Sequence, residues 1–156
     1  MVNTVPAGIL PVILPNMSPN KTIVNKKLAL LERNISFLQA YAKMPKSVFV
    51  ADFTVNGAAL HYMVESIEII VDIGMHILSE DFNEQANSYI DAILELGQKK
   101  IVPKKFAEDN QTMARFRNRI IHVYGEIDLR LVYDFLKDVP KILKKFAGYY
   151  LKYLEK

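Results

Sequence analysis

From Lys21 onward, apolar residues recur at alternating spacings of four and three, the stripe of an amphipathic helix. Val24, Leu28, Leu31, Ile35, Leu38 and Ala42 form the first stripe. Met44-Pro45 ends it, because a proline pushes the residue before it out of the α region. A second, longer helix is expected over roughly Phe49 to Leu78. It carries two stripes side by side, Leu60, Val64, Ile67, Val71, Gly74 and Leu78, and Met63, Ile70, Ile73 and Ile77. One stripe suffices to face a core, so two predict burial on two sides, against a neighbouring helix or a partner subunit. Gly74 is costly in mid-helix, by about 1 kcal/mol relative to Ala, and is most simply explained by close helix approach. Glu65, Glu68 and Asp72 interrupt the apolar run, which excludes a membrane span here.

Asp81 to Ala86 reads as a loop, followed by a short helix from Asn87 to Leu96 that Gly97 stops. Gln98 to Val102 connects to a fourth helix, Pro103 to Tyr124, with Pro103 in its first turn and Gly125 beyond its end. Asp128 can cap the last helix, whose expected inner face is Val132, Phe135, Val139, Ile142, Phe146, Tyr149 and Tyr153, with a bend at Pro140. No run reads as a strand pair, no Gly-rich phosphate loop occurs and no internal repeat is visible. The fold class is all-α, a bundle of four or five helices, with the domain over 21–156. Residues 1–20 differ: they hold no charge and four prolines, and fit an extended arm, a short edge strand or an overlong start equally. They make a poor signal peptide, since the basic leading region is missing.

Composition narrows the chemistry. At 156 residues and 51% hydrophobic the chain fits one globular domain. Without cysteine it has no disulfide and no thiolate chemistry, which fits a cytoplasmic protein. Its three histidines, His61, His76 and His122, have no zinc-site spacing, so no metal or other cofactor is expected. His61 and His76 read as surface or packed residues. The charge is lopsided: residues 1–98 carry 6 basic and 10 acidic side chains, residues 99–156 carry 14 and 7. The basic half would attract a polyanion such as RNA, although lysines such as Lys144 and Lys145 on their own read as a solvated helix face.

That half holds the one gathering of chemistry-bearing side chains, Arg117-Asn118-Arg119-Ile120-Ile121-His122-Val123-Tyr124. On a helix Asn118 and His122 share a face and Arg117 flanks it, which suits a phosphate held beside a proton-transfer group. Arg117 can grip phosphate oxygens and stabilise charge growing in a transition state. As a histidine, His122 has an intrinsic pKa range that suits a base or an acid, and Asn118 could orient the imidazole or bind phosphate. Arg115 and Arg119 are candidates for RNA contact. Taken alone, an arginine and a histidine near a helix end also serve to cap carbonyls and oppose the helix dipole.

The stretch from Phe53 to Val139 resembles the HepT-like branch of the HEPN superfamily. The resemblance is carried by Asp52-Phe53-Thr54-Val55-Asn56, Leu96-Gly97, Ile101-Val102-Pro103, the Phe116–Tyr124 motif, Ile127-Asp128 and Val132-Tyr133. One departure is Arg115, where relatives often carry glycine. The resemblance implies a homodimer whose two Arg-x4-His motifs meet across a cleft between the motif-bearing helices. It implies a metal-independent endoribonuclease toxin of a toxin–antitoxin pair of type II/VII character, with catalytic Arg117, His122 and Asn118. It also implies a minimal nucleotidyltransferase (MNT) antitoxin that can silence the toxin by adding AMP to Tyr124. RNA is then the substrate, cut through its own 2′-OH, and the two-fold axis would supply a second His122 as conjugate acid. The alternative reading is a non-catalytic helical subunit that holds nucleotide or substrate for a nucleotidyltransferase.

Overall fold

The structure, a computed structural model, describes the backbone of residues 20–122 and 127–156, and the side chains of 20–120 and 127–156. The expected N-terminal arm, apart from Asn20, therefore lies outside the described residues, as do Tyr124 and the His122 side chain. The described residues form seven helices and no strand: α1 Lys21–Ala42, α2 Lys46–Ala51, α3 Phe53–Phe82, α4 Tyr89–Gln98, α5 Lys104–Asn110, α6 Thr112–His122 and α7 Leu129–Leu154. The expected all-α bundle is what forms. The number is higher because two of the expected helices are interrupted.

Each interruption has a local cause. Asp52 sits in extended backbone and its carboxylate accepts from the backbone N–H groups of Thr54 (3.0 Å) and Val55 (3.2 Å), so α3 starts afresh there instead of continuing from Phe49. Buried Asn56 then donates to the carbonyls of Phe49 and Val50 and ties α2 to the new helix. Between α5 and α6 the side-chain amides of Asn110 and Gln111 take the carbonyls of Phe106 and Glu108, satisfying the end of α5 at the break.

Helix α3 is the axis of the bundle. Both of its apolar stripes are largely buried, with Ile67, Val71, Leu78 and Met63, Ile70, Ile73, Ile77 shielded from solvent. The covering elements belong to the same chain: α1, α2, α4, α6 and α7 all pack on α3. Full burial of each such side chain contributes about 1.5–3 kcal/mol, so α3 supplies much of the folding drive. Helix α7 turns slightly away from the face expected for it. Val132, Tyr133, Leu136, Val139, Leu143, Phe146 and Tyr150 are buried, while Phe135, Ile142, Tyr149 and Tyr153 stay half-buried at the margin. Tyr150 fixes that rotation by donating to the Ile70 carbonyl at 2.7 Å. Burial pushes its phenol far above the ordinary tyrosine range. Pro140 lies within α7, which runs on to Leu154. No described helix is long and apolar enough to cross a membrane.

Two glycines mark close approaches. Gly74 bears out its expected role: a Cβ there would lie 2.8 Å from Leu96 Cδ1 and 3.0 Å from Tyr150 Oη. Gly97 corrects the expectation that it stops a helix. It lies inside α4, where a Cβ would come within 2.8 Å of Ala107 Cβ and 3.1 Å of Lys104 Cα. The helix ends later, in a turn where Lys100 takes the left-handed conformation (φ 61°), a conformation that costs a non-glycine residue roughly 1 kcal/mol. Because Gly97 faces a backbone and a methyl that cannot swing aside, Gly97→Ala is expected to lose about 1–2 kcal/mol of stability. Gly74→Ala, which meets the ends of two longer side chains, should lose less. Urea midpoints at unchanged m-value measure both. The reverse order would contradict this packing.

Candidate functional site

The site is built on a strip of charge along α3. Helix α3 is buried on two sides, and its acidic residues Glu65, Glu68 and Asp72 fall at spacings of three and four, one above another on the remaining face. Each meets a cation from another helix. Glu65 pairs with Arg33 at 3.5 Å and accepts from the buried Asn34 amide at 2.6 Å. Asp72 pairs with Lys27 at 3.3 Å. Glu68, between them, takes Arg117 of α6.

Arg117 is the most constrained of these cations. Its Nε and Nη2 both donate to Glu68 Oε1, at 3.2 and 2.6 Å. Nη1 donates to the Asn118 carboxamide at 3.3 Å. The guanidinium carbon lies 4.6 Å from the ring centroid of Tyr89, at the start of α4, so that ring walls one face of the cation. The side chain is 19% exposed. One edge of the fork is thus committed to Glu68, and the other, Nη1 and Nη2, carries the remaining N–H donors. The Tyr89 phenol is raised above its usual range, mainly by burial. Arg117 lowers it, and Glu68 and Asp72 raise it further, so Tyr89 is a neutral wall at neutral pH.

The other expected site residues fall out as follows. Asn118, Arg119 and Arg115 are solvent-exposed on α6, while Phe116 and Ile120 of the same helix turn inward. Phe116 packs against Phe135 of α7 with tilted rings, 4.3 Å between centroids. Helix α6 runs to His122, so the backbone spacing that would set Asn118 and His122 on one face is in place. The His122 side chain and Tyr124 lie outside the described residues. Arg119 borders a small cavity of about 140 Å³ together with Phe116, Ile120, Leu131 and Phe135. Of the other histidines, His61 is exposed and packs edge-on to Tyr62, and His76 Nε2 accepts from the Asn20 backbone N–H at 3.0 Å. Among the described residues no three carboxylate or histidine side chains converge as metal ligands would.

Glu68 and Tyr89 are the residues that sequence reasoning missed. Glu68 was visible as a charge in an apolar run, a signal that sufficed to exclude a membrane span but also marks a buried helix reaching for a cation. Nothing local pointed to Tyr89. A double-mutant cycle of Glu68→Gln with Arg117→Met is expected to give a coupling of about 1 kcal/mol at low salt, on the scale of partly exposed ion pairs. Denaturant unfolding of the four proteins measures it. A coupling near zero would mean that Glu68 does not hold Arg117.

A tRNA nuclease HepT of Aphanizomenon flos-aquae is 23% identical over 120 residues, spanning 77% of this chain and 80% of that protein. The fold is similar to that of a tri-AMPylated HEPN toxin of Shewanella oneidensis solved in complex with MNT antitoxin (TM-score 0.76, 22% identity, 83% of this chain and 97% of that one). A toxin–antitoxin structure with AMP-PNP is similar at TM-score 0.77 and 21% identity, over 85% of this chain and 99% of that one. The Ribonuclease HepT-like family matches residues 31–149, a span that takes in Glu68, Tyr89 and the whole Arg117–Tyr124 motif, and the chain belongs to that family.

Proposed function

We propose that this protein is the ribonuclease toxin of a toxin–antitoxin pair and cleaves RNA without a metal, by attack of the RNA 2′-OH on the adjacent phosphate. The observation that carries the reading is the fixed Arg117. A cation held by Glu68 on one edge and by Tyr89 on one face, with Asn118 beside its outer edge, is prepared to bind a phosphate without reorganising. Membership of a ribonuclease family supports it, as do relatives named as a tRNA nuclease and as HEPN toxins in complex with MNT antitoxin.

In this mechanism His122 takes the proton from the 2′-OH as the 2′ oxygen bonds to phosphorus. Arg117 compensates the charge gathering on the non-bridging oxygens through its outer N–H groups. The bond from phosphorus to the 5′ oxygen breaks, and that oxygen receives a proton from a second His122 brought by the two-fold axis of a homodimer. The products are a cyclic 2′,3′-phosphate and a 5′-OH end. Asn118, already accepting from Arg117, keeps its own N–H₂ for the phosphate or the imidazole. The exposed Arg115 and Arg119 contact flanking phosphates. The partner is a nucleotidyltransferase antitoxin of the MNT type, and Tyr124, two residues after His122, is the hydroxyl that AMP addition would block.

The test is incubation of the protein with end-labelled RNA and sequence-matched DNA in excess EDTA, beside His122→Ala and Arg117→Ala. RNA alone should be cut, leaving cyclic phosphate ends. Each variant should lose on the order of 10²–10³ in rate while keeping its fold. Full activity in His122→Ala, or equal cleavage of DNA, would sink the mechanism. Mass measurement of Tyr124 beforehand separates an inactive protein from one silenced by AMP.

A further inference from the structure

The turn after α4 carries an expense that packing does not explain. The Lys100 N–H donates to the Gly97 carbonyl at 3.1 Å and the Ile101 N–H to the Leu96 carbonyl at 2.9 Å, the paired bonds of a Schellman close. That close demands a left-handed residue, for which glycine is the usual choice. Among the described residues only Asn83 and Lys100 have positive φ without being glycine, and asparagine tolerates it well. No described glycine is used this way, and a lysine stands where one would be more stable.

What that lysine gains is a place in a basic concavity. Lys100 lines a cavity of about 530 Å³ with Lys104 of α5 and Lys152 and Lys156 at the end of α7. No acidic residue lines it. Two tyrosines form rigid walls: Tyr149 packs edge-on against Phe106 at 5.1 Å, and the Tyr153 hydroxyl donates to Asp81. Lys156 lies 5.8 Å from the Tyr153 ring. Lys27, Lys46, Lys99 and Lys105 each have a carboxylate partner, whereas Lys100, Lys104 and Lys152 have none among the described residues. Like charges gathered round a hollow repel one another, and a bound anion relieves them. The cavity also has a fixed relation to the candidate catalytic site. Tyr89, which walls Arg117, opens α4, and Gly97 and Gln98, which line the cavity, close it, about 12 Å further along the helix axis.

We propose that this cavity is a second RNA-binding site, an anchor for the phosphodiester backbone of the strand flanking the scissile bond. The proposal rests on the ribonuclease reading. Lysine contacts of this kind fix the register of the strand without reading its sequence. Lys100 and Lys104 lie within the residues matched to the family, and Lys152 and Lys156 lie beyond them.

The test uses a 2′-O-methyl oligonucleotide, which the mechanism cannot cut, titrated into the full chain by fluorescence anisotropy across a range of NaCl concentrations. Lys100→Gly should raise Tm by about 3 °C by removing the left-handed strain. The same change should weaken binding and flatten the slope of log affinity against log salt by about 0.7. Lys104→Gln/Lys152→Gln should flatten the slope by roughly twice that with Tm unchanged. More stable yet weaker-binding is the signature that a solvated surface lysine would not give. Wild-type slopes in both variants, with RNA cleavage intact, overturn the anchor and leave the ribonuclease standing. Pyrophosphate that binds the wild type without competing with the oligonucleotide would assign the cavity to a free anion and overturn it as well. Neither binding nor cleavage of RNA by wild type that mass measurement shows free of AMP would remove both readings together.

Discussion

A helix buried on two sides has only a narrow strip left for charge, and on α3 that strip is Glu65, Glu68 and Asp72. Each carboxylate meets a cation, and two helices supply them: α1 gives Arg33 to Glu65 and Lys27 to Asp72, and α6 gives Arg117 to Glu68. The strip therefore does two jobs with one set of groups. It orients α1 and α6 on the central helix, and it fixes the guanidinium of Arg117 in a set direction. Arg117 is then a consequence of the core as much as a member of the motif.

How far the sequence could be read follows from which forces are local. The stripes of α1 and α3 were legible because burial on a helix imposes a period that survives in the residue order. The burial of α3 on both sides followed from the same pattern, although only the structure shows its own helices covering the second face. On α7 the period was right and the phase slightly wrong. Tyr149, Tyr150 and Tyr153 are similar in kind, and what chooses among them is the hydrogen bond from Tyr150 to Ile70, eighty residues away. Gly97 was misread for the same reason: its need for space is set by Ala107 and Lys104 on a different helix.

The candidate site divides along that line too. The spacing of Arg117, Asn118 and His122 is a property of one helix and could be read directly. The partner of Arg117 lies 49 positions back along the chain, and no local rule names it. The left-handed turn at Lys100 was hidden more deeply, since a backbone angle leaves no mark in composition when the residue adopting it is not glycine.

The contact between Tyr150 and the Ile70 carbonyl has a further consequence, for the order in which the chain is made. Helices α1 to α6 leave the ribosome before α7, at rates of about 5–20 residues per second. Until α7 arrives, one flank of α3 is still wet. Glu68 and Arg117 can meet in that interval, but the core beneath them is unsealed, and the bundle that holds the cation still is finished by the last part of the chain to be synthesised. A nascent chain would carry the motif well before it carries the site.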